Sequence, residues 1–384
     1  MTRLLPGNGL LLACLFATLP PTNAEPPTKE SDAFFKEGKV LQLSISLEKA
    51  DLDSLRREPR KYARATLQEG DKVFRDVGIH VKGAAGSFRG IDDKPGLTLN
   101  MNKFGAAQTF HGMDKWHLAN SVQDATYVQE LICGELMRAA GIPASRVGHA
   151  VVTINGRKRG LYYLKEGYDK FFRKRWFENL NGNFYDGGFL RDLDQPLHLL
   201  SGGDDVKNHA DLKALLAAAT ERDHAVRLKK LDKLLELDKF LSYVALEVIC
   251  WDWDGYPINR NNYRVYHDPK RDKITFLPSG MDQMFGDPNG TILPHFQGVV
   301  ARSIVETKEG RKRYLDRMEE MLKKVVKADD LVKRLDELEK RVQPALAAVD
   351  AGAGQGYRHH VGWLRNNIKA RLKSVEDQLK RAKK

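Results

Sequence analysis

The chain has 384 residues, 42% of them hydrophobic, with 63 Lys and Arg against 51 Asp and Glu and a formal net charge of +12. That is enough apolar material for a substantial core, built as one large domain or two small ones. The basic residues are spread out with acids interleaved, and no compact basic block with interleaved aromatics stands out, which argues against a nucleic-acid partner and leaves room for a nucleotide or an acidic protein.

Residues 1–24 read as an export signal. Arg3 supplies the positive charge, Leu10–Leu19 is a short apolar run, and Thr22-Asn23-Ala24 offers small residues for cleavage. The run is too short to span a bilayer, and no later segment looks transmembrane. The mature protein is therefore expected to be secreted or periplasmic. Leu11-Leu12-Ala13-Cys14 resembles a lipoprotein cleavage box, so a lipid anchor at Cys14 is the alternative. Cys133 and Cys250 remain in the mature chain, both in apolar helical patterns, and are expected as buried free thiols. No CxxC pair or zinc spacing occurs, and His359-His360 reads as an exposed helix start.

Residues 25–37 are polar and Pro-containing, expected as a disordered lead-in. Residues 38–166 read as β-rich. Val40–Leu47 alternates apolar and polar, Lys49–Arg57 reads as a short charged helix, and Tyr62–Leu67, Val73–Val81, Leu97–Met101 and Trp116–Asn120 read as strands. Between Lys82 and Leu97 lies a small-residue loop, Gly83–Gly90. Its backbone could approach a phosphate, with Lys82, Arg89 and Lys94 nearby as cations that could contact phosphate or simply be exposed. Ala125–Ala140 gives an amphipathic helix carrying Glu130 and Glu135, either of which could pair with a phosphate-contacting lysine or lie solvated. Val147–Ile154, Asn155-Gly156 and Arg159–Glu166 form a hairpin signal, since Asn-Gly suits a type I′ turn.

Residues 167–384 read as mainly helical. Asn179–Asp192 and Leu199–Asp204 are expected as loops. Ala210–Ala219 and Leu228–Val248 read as helices, followed by Gly310–Ala328, Asp329–Asp350 and, after a Gly-rich break at Ala351–Gly356, Tyr357–Lys384. The second of these helices delivers the chain to Trp251–Gly286. That stretch holds Asp252, Asp254, Asn259 and Asn262, then the strand pair YRVYHD and KITFLP, then Asp282 ahead of Gln283-Met284-Phe285-Gly286.

This layout suits phosphoryl transfer on a metal nucleotide. One carboxylate accepts the proton of the attacking hydroxyl, while an amide oxygen and a second carboxylate hold divalent cations against the phosphates. Protein kinases place an Asp and an Asn five residues apart, and their metal-binding Asp after a short hairpin. Asp254, Asn259 and Asp282 follow that order. A polar turn leading into an ordinary hairpin would read the same way, as would a hydrolase that clusters Asp252, Asp254 and Asp282 around a metal.

Six landmarks in sequence resemble the spore coat protein H (CotH) kinases, an atypical protein-kinase-like family, from about Val40 to Leu379. They are VKGAAGS with KPGLTL; FHGMDKWHLANSVQDATYVQELICGELMRAAGIPASRV; INGRKRGLYYLKEGYD; DGYPINRNNYRVY; FLPSGMDQMFG; and GYRHHVGWLRNNIKARLKSVEDQL. The resemblance implies an α+β, two-lobed kinase-like fold with a β-rich first lobe and a mainly helical second. It implies phosphate transfer from ATP, with Mg or Mn, to serine hydroxyls of exported or coat proteins. By position, Asp254 looks like the catalytic aspartate and Asp282 the metal-binding one. Asn259 and Asn262 match the loop asparagines, Asn259 being the favoured metal ligand. Lys82 is the first choice for the phosphate lysine and Lys94 the second, and Glu166 is placed with the nucleotide site. The family commonly has Trp-Asp where this chain has Ser279-Gly280. The departure leaves that position without a carboxylate, and a non-catalytic coat or surface assembly protein is the alternative it favours.

Overall fold

The computed structural model describes residues 27–202 and 209–384. The expected export signal and Cys14 lie outside them. Helix α1 (Pro27–Glu37) is followed by β1 (Val40–Ser46), α2 (Lys49–Arg57), β2 (Ala63–Glu69), β3 (Lys72–Lys82), β4 (Gly96–Asn100), β5 (Lys115–Ala119), α3 (Gln129–Ala139), β6 (Val147–Ile154) and β7 (Arg157–Glu166). Period-2 alternation sends Leu43 and Ile45, Ala63, Ala65 and Leu67, and Val77, Ile79 and Val81 to one side of their strands. The strands close on that apolar side as a barrel in the order β1-β2-β3-β4-β5-β7-β6, with the parallel β1–β6 pair as the seam. Inside, Phe110 stacks on Trp116 with ring centroids 4.5 Å apart. The β6–β7 turn has positive φ at both Asn155 (45°) and Gly156 (75°), as the type I′ reading requires.

The lead-in expected without structure is, from Pro27 on, helix α1. Its polar sequence hides its anchors. Phe34 is buried and lies parallel to the His111 ring, centroids 4.3 Å apart. Arg146, at the start of β6, reaches the Ser31 hydroxyl at 2.8 Å and the Asp32 carboxylate. Tertiary contacts of this kind hold short helices that composition alone would not.

The second half begins with α4 (Lys170–Trp176), β8 (Asn183–Asp186), β9 (His198–Ser201), α5 (Ala210–Ala219), α6 (His224–Leu234) and α7 (Leu237–Ile249). It continues through α8 (Tyr256–Asn259), β10 (Tyr263–Asp268), β11 (Lys273–Pro278), α9 (Val299–Val305), α10 (Lys308–Lys324), α11 (Ala328–Val349) and α12 (Ala351–Ala382). Four strands form a small sheet ordered β11-β10-β8-β9.

Three expectations differ from this. The segments expected as loops carry β8 and β9. Gly182 and Gly187, which read as loop glycines, sit where a Cβ would stand 2.3 Å from the rings of Tyr266 and Tyr263, so they let the chain pass beneath aromatic side chains of β10. The helix expected over Leu228–Val248 is two helices. Leu235 leaves the helix to bridge Ile274 of β11, and Lys273 takes the carbonyls of Asp232 (2.6 Å) and Leu235 (3.1 Å). The glycine-rich break at 351–356 is the first turn and a half of α12, because the Asp350 carboxylate caps it by accepting from the Ala353 N–H at 2.9 Å.

One apolar core fills the barrel, and another runs through the helical half and under α3. Cys133 and Cys250 are buried and free. Among the described residues, no helix is long and apolar enough to cross a membrane. If α1 is an integral part of the barrel lobe, Phe34→Ala should cost about 3 kcal/mol, as buried Phe truncations do. Urea unfolding would show a lower midpoint at unchanged slope. An unmoved midpoint would mean that α1 contributes nothing to the fold.

Candidate functional site

Between barrel and helical half lies a cleft of about 550 Å³, lined by Lys82, Lys165, Asp254, Asn262, Asp282 and the 83–87 loop among others. Helix α7 supplies the loop that carries Asp254. It is buried along its whole length except for Asp238 and Lys239, and its C-terminal carbonyls are taken by one side chain. The guanidinium of Arg371, on α12, is fully buried and donates to the carbonyls of Val248 (2.6 Å), Ile249 (3.1 Å) and Gly290. A cation at a helix C-terminus is favoured by the helix dipole and satisfies carbonyls left without partners. The chain then turns through Trp251 (φ 53°), over whose ring Arg371 lies.

Asp254 is held by amides. Asn259 Nδ2 donates to one carboxylate oxygen at 2.8 Å, and Asn261 and Asn262 donate to the other at 3.0 and 2.9 Å. Only one of the two asparagines expected at the metal lines the cleft. Asn259 stands behind Asp254 on α8, whereas Asn262 faces the cleft beside Asp282. Its amide nitrogen is spent on Asp254, and its Oδ1 lies against Gly280, where a Cβ would come within 2.9 Å. Ser279-Gly280 thus leaves room for the Asn262 amide, a second physical consequence of the departure noted in the sequence.

Asp282 follows β11 and has no ion pair among the described residues. Burial, with Glu130 and Asp124 alongside, pushes its carboxyl up to about 6. Asp252 does not line the cleft. It is buried, and burial with the Asp254 and Asp282 carboxylates nearby holds its carboxyl well above the usual range, as burial with Asp252 nearby does for Glu247. That removes Asp252 from any metal cluster in the cleft.

The lysines sort differently from expectation. Lys82, at the end of β3, projects into the cleft with no hydrogen bond or ion pair among the described residues. Burial, with Lys165 close by, brings its ammonium down to about 8. Lys94 is elsewhere: its ammonium sits on the Tyr127 hydroxyl at 2.7 Å and over the Tyr127 and Tyr162 rings. Glu166 is also elsewhere, buried between Arg146 (2.8 Å) and Arg175. Its strand neighbour Lys165 occupies the cleft instead. Lys165 Nζ donates to Glu130 of α3 at 2.5 Å and to the Ser279 carbonyl. Burial would lower this ammonium, but the Glu130 carboxylate, with Tyr168 and Asp282 nearby, outweighs it and holds it above its ordinary value. Glu130 also accepts from the Met281 N–H at 3.1 Å. The signal for Lys165 was present in LYYLKE: a lysine that directly follows the apolar run 161–164 in a strand needs a buried partner. Glu135 pairs with Arg334 at 2.7 Å, away from the cleft.

A second chamber of about 620 Å³ adjoins the cleft, sharing Lys82, Lys165, Asp186, Arg264 and Ser279 with it and adding the rings of Tyr62, Tyr168 and Phe184. His117 also lines it. Burial, reinforced by Lys82 and Lys165, keeps that imidazole well below its ordinary value and therefore neutral.

The residues present fit a metal nucleotide. Asp282 is a desolvated carboxylate and Lys82 a desolvated ammonium, neither of them in an ion pair among the described residues, and Asn262 offers an amide oxygen in the same cleft.

A family profile described as CotH kinase protein matches residues 79–375. An invasin of Rhizopus delemar, CotH2, is 20% identical over 237 residues, 56% of this chain and 38% of the relative. A second invasin of that organism, CotH3, is 25% identical over 198 residues, 47% and 33% of the two chains. The chain spans about a third of the length of these curated relatives. Among solved structures, the Helicobacter pylori proinflammatory kinase CtkA aligns with 9% identity and a TM-score of 0.41, over 75% of this chain and 95% of that one.

Lys165→Met should strand Glu130 as an unpaired buried carboxylate and cost roughly 3–5 kcal/mol. The double variant Lys165→Met/Glu130→Leu should lose less than the two single losses added together. Additive losses in a denaturant cycle would show that the two side chains are not coupled.

Proposed function

This chain belongs to the CotH kinase family, and we propose on that premise that it is an exported enzyme transferring the γ-phosphate of ATP to protein hydroxyl groups with Mg or Mn. The observation that carries this reading is the shared cleft: Asp254 and Asp282 line it together with the Lys165–Glu130 pair and the unpaired Lys82.

In the proposed reaction Asp254, its carboxylate oriented by three asparagine amides, accepts the proton of the acceptor hydroxyl as the new O–P bond forms. The P–O bond to the departing ADP breaks as that bond is made. Asp282 and the Asn262 amide oxygen would hold a divalent cation, which would supply charge to offset that of the phosphate oxygens. Lys82 and Lys165 place two further positive charges beside the phosphates, and Glu130 fixes where the second one stands. Two adjoining chambers that share Lys82, Lys165, Asp186, Arg264 and Ser279 as lining leave room for two bound molecules, which supports transfer over simple hydrolysis. Export rests on the N-terminal signal pattern and is in keeping with relatives named as invasins.

One observation favours a second reading. Gly280 places no carboxylate where the family commonly has one, so a protein that binds nucleotide or a coat partner without transfer fits the same cleft.

The two readings separate in an assay with labelled ATP, Mn and a serine-rich acceptor. Under the kinase reading Asp254→Asn and Asp282→Asn each lower transfer about 100-fold or more. Asp254→Asn should keep nucleotide-dependent thermal stabilisation, and Asp282→Asn should lose its metal-dependent part. Wild-type transfer that survives both substitutions would overturn the assignment, and stabilisation without any transfer would favour the second reading.

A pH dependence follows from Lys82. Its ammonium is charged below about 8 and neutral above. Nucleotide affinity should therefore fall as pH rises through that value, by up to about tenfold per pH unit. Calorimetric titration across pH 7–9.5 should show this in the wild type and not in Lys82→Met.

A further inference from the structure

On the face of α3 away from the cleft lies a separate cavity of about 280 Å³, walled by α1, α3, the start of β6 and α11. Five cations line it: Lys36, Arg138, Arg146, Arg334 and Arg341, against the two carboxylates Asp32 and Glu135. Arg146 is taken by Glu166 and Asp32, and Arg334 by Glu135 at 2.7 Å and Glu337 at 3.0 Å. That leaves two guanidinium groups without an ion pair among the described residues. Arg138 donates to the Ser145 carbonyl at 2.7 Å. Arg341 lies flat against Gly38, where a Cβ would stand 2.5 Å from its Nη1, and has no hydrogen bond or ion pair among the described residues. Burial lowers both cations below the usual guanidinium range, Arg138 to about 10, although the Glu135 carboxylate acts against the shift in each.

Both guanidinium groups line one cavity and have lost part of their hydration, and an anion bound in the cavity would restore what burial removed. Two unpaired positive charges match a dianion, and the planar fork of arginine matches tetrahedral oxyanions. The cavity is larger than a carboxylate needs and opens to solvent.

We propose that this cavity, formed by Arg138 of α3 and Arg341 of α11 with Arg146 and Arg334 as its flanks, is a binding site for a phosphate dianion, either free inorganic phosphate or a phosphorylated side chain. The site is independent of the reaction proposed for the cleft and stands or falls separately from it.

The test is calorimetric titration at constant ionic strength in a Lys82→Met background, which removes the free cation of the cleft. The probes are inorganic phosphate and a phosphoserine peptide paired with its unphosphorylated form. Saturable binding of phosphate or of the phosphopeptide is expected. Arg138→Gln and Arg341→Gln should each weaken it ten- to a hundredfold, as loss of a charge-assisted hydrogen bond does. A phosphopeptide at least tenfold tighter than free phosphate would identify a phosphorylated segment as the ligand, and equal affinities would identify the free ion. Thermal unfolding guards against misfolded variants. Without phosphate each Gln variant should still unfold in one cooperative transition, Arg138→Gln at a somewhat lower temperature because it loses its bond to the Ser145 carbonyl, and added phosphate should raise the parent's melting temperature more than either variant's. No saturable binding by either probe, or Gln variants that bind like their parent, would overturn the site.

Discussion

The ammonium of Lys165 joins three parts of the molecule that are far apart in sequence. It sits on a barrel strand, bonds the Glu130 carboxylate of α3, and bonds the carbonyl of Ser279 at the exit of β11. Glu130 in turn takes the Met281 N–H, and its neighbour Gln129 takes the Met284 N–H at 2.5 Å. The segment that carries Asp282 is therefore strung between two side chains of one helix and one of the barrel. Each of these polar groups is buried, so none can leave without stranding its partner at a cost of several kcal/mol. Barrel, helix and cleft floor are held in one geometry by that constraint.

The other side of the cleft is held by a different device. Arg371 binds the end of α7, so the helix stops at a fixed place and the loop carrying Asp254 leaves in a fixed direction. Three asparagine amides then orient the Asp254 carboxylate. Beneath them, Glu247 and Asp252 stay buried without ion pairs among the described residues, and their raised pKa values keep charge from accumulating under the loop. The cleft thus holds both signs of charge, with Asp282 and Lys82 near enough to act on each other but neither in an ion pair among the described residues. That division of charge suits a ligand carrying both phosphates and a divalent metal.

Much of the fold was legible in the chain. Alternation marked β1 through β3, the Asn155-Gly156 pair marked the β6–β7 turn, and the apolar run of α7 ahead of Asp254 was visible as a buried helix. Where local signals misled, a distant contact had overruled them. Gly182 and Gly187 read as loop residues because their function, passing under Tyr266 and Tyr263, belongs to another strand. Helix α1 read as a disordered lead-in because its anchors, His111 and Arg146, are remote.

Spacing and residue type by themselves determined that Asp254, an amide-rich loop, a hairpin and Asp282 follow one another, which is a pattern a local chain segment must carry. Only the tertiary structure decided which charges meet. Lys165 rather than Lys94 reaches the cleft, Asn262 rather than Asn259 faces it, and Glu130 rather than Glu166 or Glu135 holds the lysine. The reason is geometric. Neighbouring residues on a strand point to opposite sides, so Lys165 and Glu166 part company at once. The partner of a buried charge is set by which elements pack together, and no sequence spacing records that.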